Sequence, residues 1–174
     1  PVECCISTDN TVLTGIQRPD SFKTDSAMLD YIECVHLNYM WDGAEPNSGL
    51  APERIHLDGI YPENDAHIVT TGGSGFGIAG LIAGIDRGFI PRADGVKRLQ
   101  RIVNFLAHAD RFHGVWPHWM DGRTGKTKPF GQKDNGGDLV ESSFLMASLL
   151  CARQYFASGN NEERQLAADI DALW

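Results

Sequence analysis

Apolar residues recur at three- and four-residue intervals in five stretches of the chain, and Gly, Pro, Asn and Asp crowd the segments between them. From Ser26 to Met40, the residues Met28, Leu29, Ile32, Val35, Leu37 and Met40 follow Ser and Asp capping candidates, which predicts a first helix. Gly73 to Gly88 is a small-residue segment that keeps Phe76, Ile78, Leu81, Ile82 and Ile85 at helical spacing, so a buried, glycine-softened helix is expected. Between Ala93 and Ala109 the apolar positions are Val96, Leu99, Ile102, Val103 and Leu106. With Lys97, Arg98 and Arg101 on the wet face, they predict an amphipathic third helix. A fourth is expected from Asp138 to about Ala157. A fifth starts near Asn160 and is still running at Trp174, without a C-cap signal, which leads us to expect a chain cut short from a larger domain.

Two long polar segments separate these helices. WDGAEPNSGLAPERIHLDGIYPENDAH reads as a structured loop by its turn residues, and loops of that length are commonly functional. DRFHGVWPHWMDGRTGKTKPFGQKDNGG reads as a second, with a short hairpin turning at DGRTGK. Apart from the strand-like HIVTT, no series of β-branched strands interrupts the helices, so the fold class is all-α.

Composition narrows the partners. At 174 residues, 42% hydrophobic and 22% charged, the chain is ordinary globular material, long enough for one domain with its own core. The 15 basic against 23 acidic residues give a net charge of −8, which repels phosphate backbones and argues against nucleic acid. No apolar run approaches the ~20 residues of a membrane span. Cys4, Cys5, Cys34 and Cys151 form neither paired zinc knuckles nor a dense disulfide framework. The N-terminus lacks the basic and apolar regions of a signal peptide, which a mature exported protein would already have lost.

The strongest chemical constellation is Asp134, Asp138 and Glu141, at spacings of four and three and flanked by Gly136 and Gly137. On a helix beginning near Asp138, that residue and Glu141 share a face, with Cβ atoms about 5 to 6 Å apart. Gathered carboxylates repel, so one tends to keep its proton as a general acid while another stays ionised as a base. The competing reading is that both acids simply complement the positive end of the helix. In TTGGSGFGIAG the glycines Gly75, Gly77 and Gly80 satisfy GxGxxG, but a dinucleotide site needs a following parallel strand, and VKRLQRIVNFL reads as helix. Glycines that let two elements approach closely, with Ser74 free to meet a ligand hydroxyl or else simply packed, account for the segment better. Trp41, Trp116, Trp119, Tyr39 and Tyr61 lie in or beside predicted loops, where flat rings near acids suit stacking on sugar faces. His113 and His118 flank Trp116 without a metal-ligand pattern, so no metal and no cofactor is expected. Arg54 and Arg87 are candidates either for hydroxyl contacts or for ordinary ion pairs.

Four motifs in order carry a resemblance: YMWDGAEPNSGLAPER, VTTGGSGFGIAGLIAGIDRGFI, FHGVWPHWMDGRTGK and KDNGGDLVESSFLMASLLCARQYF. Together they resemble the bacterial glucoamylase-like family that includes endo-β-1,2-glucanases, from about Ser26 onward. The resemblance implies an (α/α)6 barrel, of which residues 26–174 would form about the N-terminal half and residues 1–25 a linker or extension. It implies that Asp134, Asp138 and Glu141 fall on the family's acidic active-site motif, with Trp41, Asp42 and His118 lining a sugar cleft. Arg54, Ser74, Phe76, Trp116 and Trp119 complete the expected substrate contacts. The expected activity is inverting hydrolysis of a glucan in a periplasmic or exported enzyme, with the missing half of the barrel supplied by the rest of the protein or another chain. A carbohydrate-binding barrel without turnover is the rival from another class, and a nucleotide-binding oxidoreductase a third.

Overall fold

The computed structural model describes residues 19–129, 131–133 and 135–174; Asp134 and residues 1–18 of the expected extension lie outside them. Among the described residues five helices are formed: α1 (Asp25–Trp41), α2 (Thr71–Asp86), α3 (Arg92–His108), α4 (Leu139–Phe156) and α5 (Asn161–Asp171). Two three-residue strands, β1 (Ile68–Thr70) and β2 (Trp119–Asp121), pair antiparallel, with Val69 opposite Met120.

Local chemistry sets the helix starts. The Thr24 side chain accepts from the Ala27 N–H, and the Asp138 side chain accepts from the Val140 and Glu141 N–H groups. At α5, Asn160 and Glu163 form a reciprocal capping box, in which each side chain accepts the other's backbone N–H. α2 has no side-chain cap; it grows directly out of β1, and Thr71 N–H bonds the His118 carbonyl (3.0 Å).

The apolar patterns then decide the layers. α3 and α5 are amphipathic and pack on each other, whereas α2 is apolar on nearly every side and is the helix most extensively packed on α4. A helix apolar all round needs neighbours all round. α1 covers a further side of α2, and α5 also packs on α4. The result is two layers, α2 beside α4 inside and α3 beside α5 outside. Ile78 and Leu81 of α2, Leu99, Ile102 and Leu106 of α3, Leu145 and Leu149 of α4, and Leu166 and Ile170 of α5 are buried between them. Each such side chain contributes about 1.5–3 kcal/mol relative to exposure.

Gly75 explains how α2 and α4 come so close. A Cβ there would lie 2.6 Å from the Phe144 carbonyl oxygen and 2.8 Å from the Leu145 Cα, both backbone atoms of α4. The glycine segment is thus a helix-packing device. The dinucleotide reading fails on topology, since β1 pairs antiparallel with β2 and the segment after α2 is the helix α3.

One boundary differs from expectation. α5 does not run to Trp174 but stops at Asp171, where Ala172 caps it through the Ala168 and Ile170 carbonyls. The cause is tertiary: Leu173 turns into the core and its carbonyl accepts from Arg111 Nη1 (2.6 Å). The hairpin at DGRTGK forms as expected, with the Asp121 carboxylate accepting from Arg123 N–H and Gly125 at φ 70°.

Candidate active site

The first turns of α2 and α4 lie against the segment Trp116–Trp119, and most of the expected acidic chemistry collects there. Asp138 N–H donates to the Trp116 carbonyl (2.8 Å), and the Ser142 hydroxyl bridges both the N–H and the carbonyl of Trp116. On the other side, the buried Thr71 hydroxyl donates to the Pro117 carbonyl (2.5 Å). The segment is therefore pinned to both helices by groups that water does not reach.

Asp138 and Glu141 leave α4 in different roles. Asp138 is the N-cap: Oδ1 accepts from the Val140 N–H (2.9 Å) and the Glu141 N–H (3.0 Å), while Oδ2 faces His118 Nδ1 at 3.2 Å. The Glu141 N–H first, then the Val140 N–H and His118, hold its carboxyl below the usual carboxylate range, although burial pushes it up. Asp138 is thus an anion at neutral pH. Glu141 reaches across to α2, where its Oε2 accepts from the Gly72 N–H (2.7 Å) and, more loosely, from the Thr70 hydroxyl (3.4 Å). The two acids do not form a bare pair on one helix face; each is oriented by donors of its own. The helix-end reading of Asp138 holds, and the cap leaves its second oxygen turned toward His118.

Beside this pair stand aromatic rings. His118 packs edge-on to Trp119 of β2 (5.1 Å between ring centres). One turn along α2 and α4 from the Gly72–Glu141 contact, Phe76 and Phe144 pair at 5.3 Å and remain 61% and 44% exposed.

Other expected contacts fall elsewhere. Trp116 is no sugar platform: it is 2% exposed, with its indole N–H on the Leu106 carbonyl (3.2 Å) and Arg111 against its face. Ser74 is not free for a ligand, since it is buried, donates to the Thr70 carbonyl and accepts from the Ala51 N–H. Ser74 thereby ties the β1–α2 junction to the first loop, and the Trp116 ring belongs to the core beside α3. Trp41 ends α1 and lies under Arg98 of α3 (4.4 Å to the ring centre), whose guanidinium also donates to the Trp41 carbonyl. Burial, with repulsion from Arg101, lowers Arg98 to about 10, and Asp42 partly offsets this; burial in turn raises the Asp42 carboxyl. Arg54 is engaged by Glu53 and Asp65, and Arg87 by Asp30 and Glu33, the ion-pair alternative in both cases.

Four residues carry more than the sequence pattern suggests. Thr70, Thr71 and Gly72 hold the site, and two hydroxyl residues at a strand-to-helix junction are the sequence signal that marks them. Glu45 is a buried acid in the first loop that accepts from Ser48 N–H and hydroxyl, both Asn47 nitrogens and His67 Nδ1. Burial pushes this carboxyl up, but those hydrogen bonds outweigh it and the net shift is downward. Among the described residues, no group of three metal-ligating side chains is gathered.

No family model matches the chain. It is 53% identical over 152 residues to an exo β-1,2-glucooligosaccharide sophorohydrolase (non-reducing end) of Parabacteroides distasonis, covering 87% of this chain and 20% of that protein. An endo-β-1,2-glucanase from Chitinophaga pinensis, solved with sophorotriose and glucose, is similar at 60% identity and TM-score 0.85, over 88% of this chain and 37% of that one. A glucoamylase-like protein from Bacteroides caccae matches at 60% identity and TM-score 0.85, over 87% and 37%. The chain thus spans between a fifth and two-fifths of the length of these relatives. The two helix layers are the corresponding part of an α/α barrel.

Proposed function

The chain belongs to the glucoamylase-like family, and from that premise we propose that this protein hydrolyses β-1,2-glucan or related gluco-oligosaccharides. The chemistry is carboxylate general acid/base catalysis with inversion, and it requires no cofactor. The observation that carries the reading is the placing of Asp138 and Glu141 on the first turn of α4, each held by separate donors beside His118 and Trp119. Asp134, which lies outside the described residues, is the third acid that the family motif implies. An ionised Asp138, its oxygen aimed at His118, suits the part of base, which leaves the proton donor among Glu141 and Asp134. Trp119 and Phe76 offer apolar faces to the sugar rings.

The test is release of reducing sugar from β-1,2-gluco-oligosaccharides by the full-length protein. Asp138→Asn and Glu141→Gln, made separately, are each expected to lower turnover by about 100- to 10,000-fold. Unchanged turnover in either variant removes that residue from the mechanism. Binding of the oligosaccharide without any product in the unaltered protein would favour a sugar-binding role instead. Proton NMR of the first-formed anomer distinguishes inversion from retention.

We also propose an exported or periplasmic location. Cys34 is disulfide-bonded, and such bonds persist in oxidising compartments. Fractionation of the native host, with the protein found in the cytosol, would overturn this.

A further inference from the structure

We propose that Gly72 is a positioning residue for Glu141, an inference that rests on the catalytic reading of Glu141 above. Gly72 is buried in the first turn of α2 and adopts ordinary helical backbone, so no positive φ explains a glycine there. Its lack of a side chain matters for another reason. A Cβ at this position would lie 2.5 Å from Glu141 Oε2, 2.9 Å from Cδ and 3.2 Å from Oε1, so the whole carboxylate occupies the space a methyl group would fill. The same carboxylate accepts the Gly72 N–H at 2.7 Å. This backbone donor at the positive end of α2 has no helical carbonyl to bond. Gly72 therefore supplies both the seat and the hydrogen bond that fix Glu141.

The atoms a new methyl would strike are the far end of a flexible side chain. Alanine is accommodated by swinging Glu141 away, not by moving the backbone of α2 or α4. Gly75 behaves differently, since its neighbours are backbone atoms that cannot yield. Substitution at 72 should leave the fold intact and displace one carboxylate.

In the full-length protein, Gly72→Ala is expected to lower kcat on a β-1,2-gluco-oligosaccharide by about 100-fold, the loss typical of a group misplaced by about an ångström. KM should stay within about threefold, because the sugar contacts are untouched. In a Glu141→Ala background the same change should cost nothing further in kcat, since Gly72 acts only through Glu141. A readout independent of turnover is the Gly72 amide proton, followed in protein labelled with ¹⁵N-glycine: Glu141→Ala should move it upfield as its hydrogen bond is lost. That measurement does not need Gly72→Ala to fold. An unmoved amide resonance, an unchanged kcat in Gly72→Ala, or losses that simply multiply in the double variant would each overturn the proposal while leaving Glu141 as a catalytic residue. Wild-type turnover in Glu141→Ala would instead bring down the catalytic reading and this inference with it.

Discussion

Asp138 caps α4 and, in the proposed mechanism, carries the charge of the base, and substitution separates the two. As N-cap it satisfies two N–H groups at the start of α4, so Asp138→Ala is expected to lower stability by about 1 kcal/mol. Asn caps nearly as well, so Asp138→Asn should keep most of that stability, measured by denaturant unfolding, while losing the charge that the proposed mechanism uses. The pH dependence follows from the same bonds. The folded-state pKa of Asp138 is depressed below 3.8, and that of Glu45 below 4.5. Each then contributes stability that is complete above those ordinary values and drains away as pH falls through the lower folded ones. Thermal melting followed from ~pH 6 down to ~pH 2 should show the decline begin below about pH 5, and it should be shallower in Asp138→Asn.

At the scale of elements, the contact between α2 and α4 is the most demanding feature. Gly75→Ala places a methyl against the backbone of Phe144 and Leu145, which cannot move without shifting α4. A destabilisation of about 1–3 kcal/mol is expected by urea unfolding, against a gain of helix propensity worth under about 1 kcal/mol. Thr71 is the other joint. Its buried hydroxyl ties α2 to Pro117, so Thr71→Val should leave that carbonyl unmatched at about 1–3 kcal/mol. Thr71→Ser, which keeps the donor, should recover most of it in the same measurement.

For the whole molecule, the apolar surface on the inner layer is the telling quantity. Phe76 and Phe144, with Leu139 and Val140 at 75% and 62% exposure, leave an apolar surface on α2 and α4, and a groove of about 300 Å³ lies between α1 and α2. Contiguous exposure of this kind marks an association surface. The solved relatives carry well over half their length beyond the part this chain matches. A protein of these 174 residues alone is expected to self-associate in sedimentation velocity. The double change Phe76→Ser with Phe144→Ser should shift it toward monomer at little cost in stability, since both rings are solvent-facing.

The sequence by itself determined the helices, to within two residues at nearly every boundary that was named, because each is written in a local period and a local cap: Val96 to Leu106 for α3, Asn160 with Glu163 for α5, Asp138 for α4. It also marked Asp138 and Glu141 as neighbours in chemistry, since acids on a first turn are legible as residue types, whereas His118 entered the site only through the family resemblance and its contact with Asp138 only through the fold. Only the tertiary structure decided where α5 stops, because Leu173 leaves the helix for a core built by distant residues. It alone decided that Trp116 and Ser74 face inward, and that Gly72, sixty-nine residues from Glu141, makes room for its carboxylate. Periodicity encodes which face of an element is apolar. It does not encode which other element that face will meet, and a site assembled from the starts of two helices and a loop exists only after they have met.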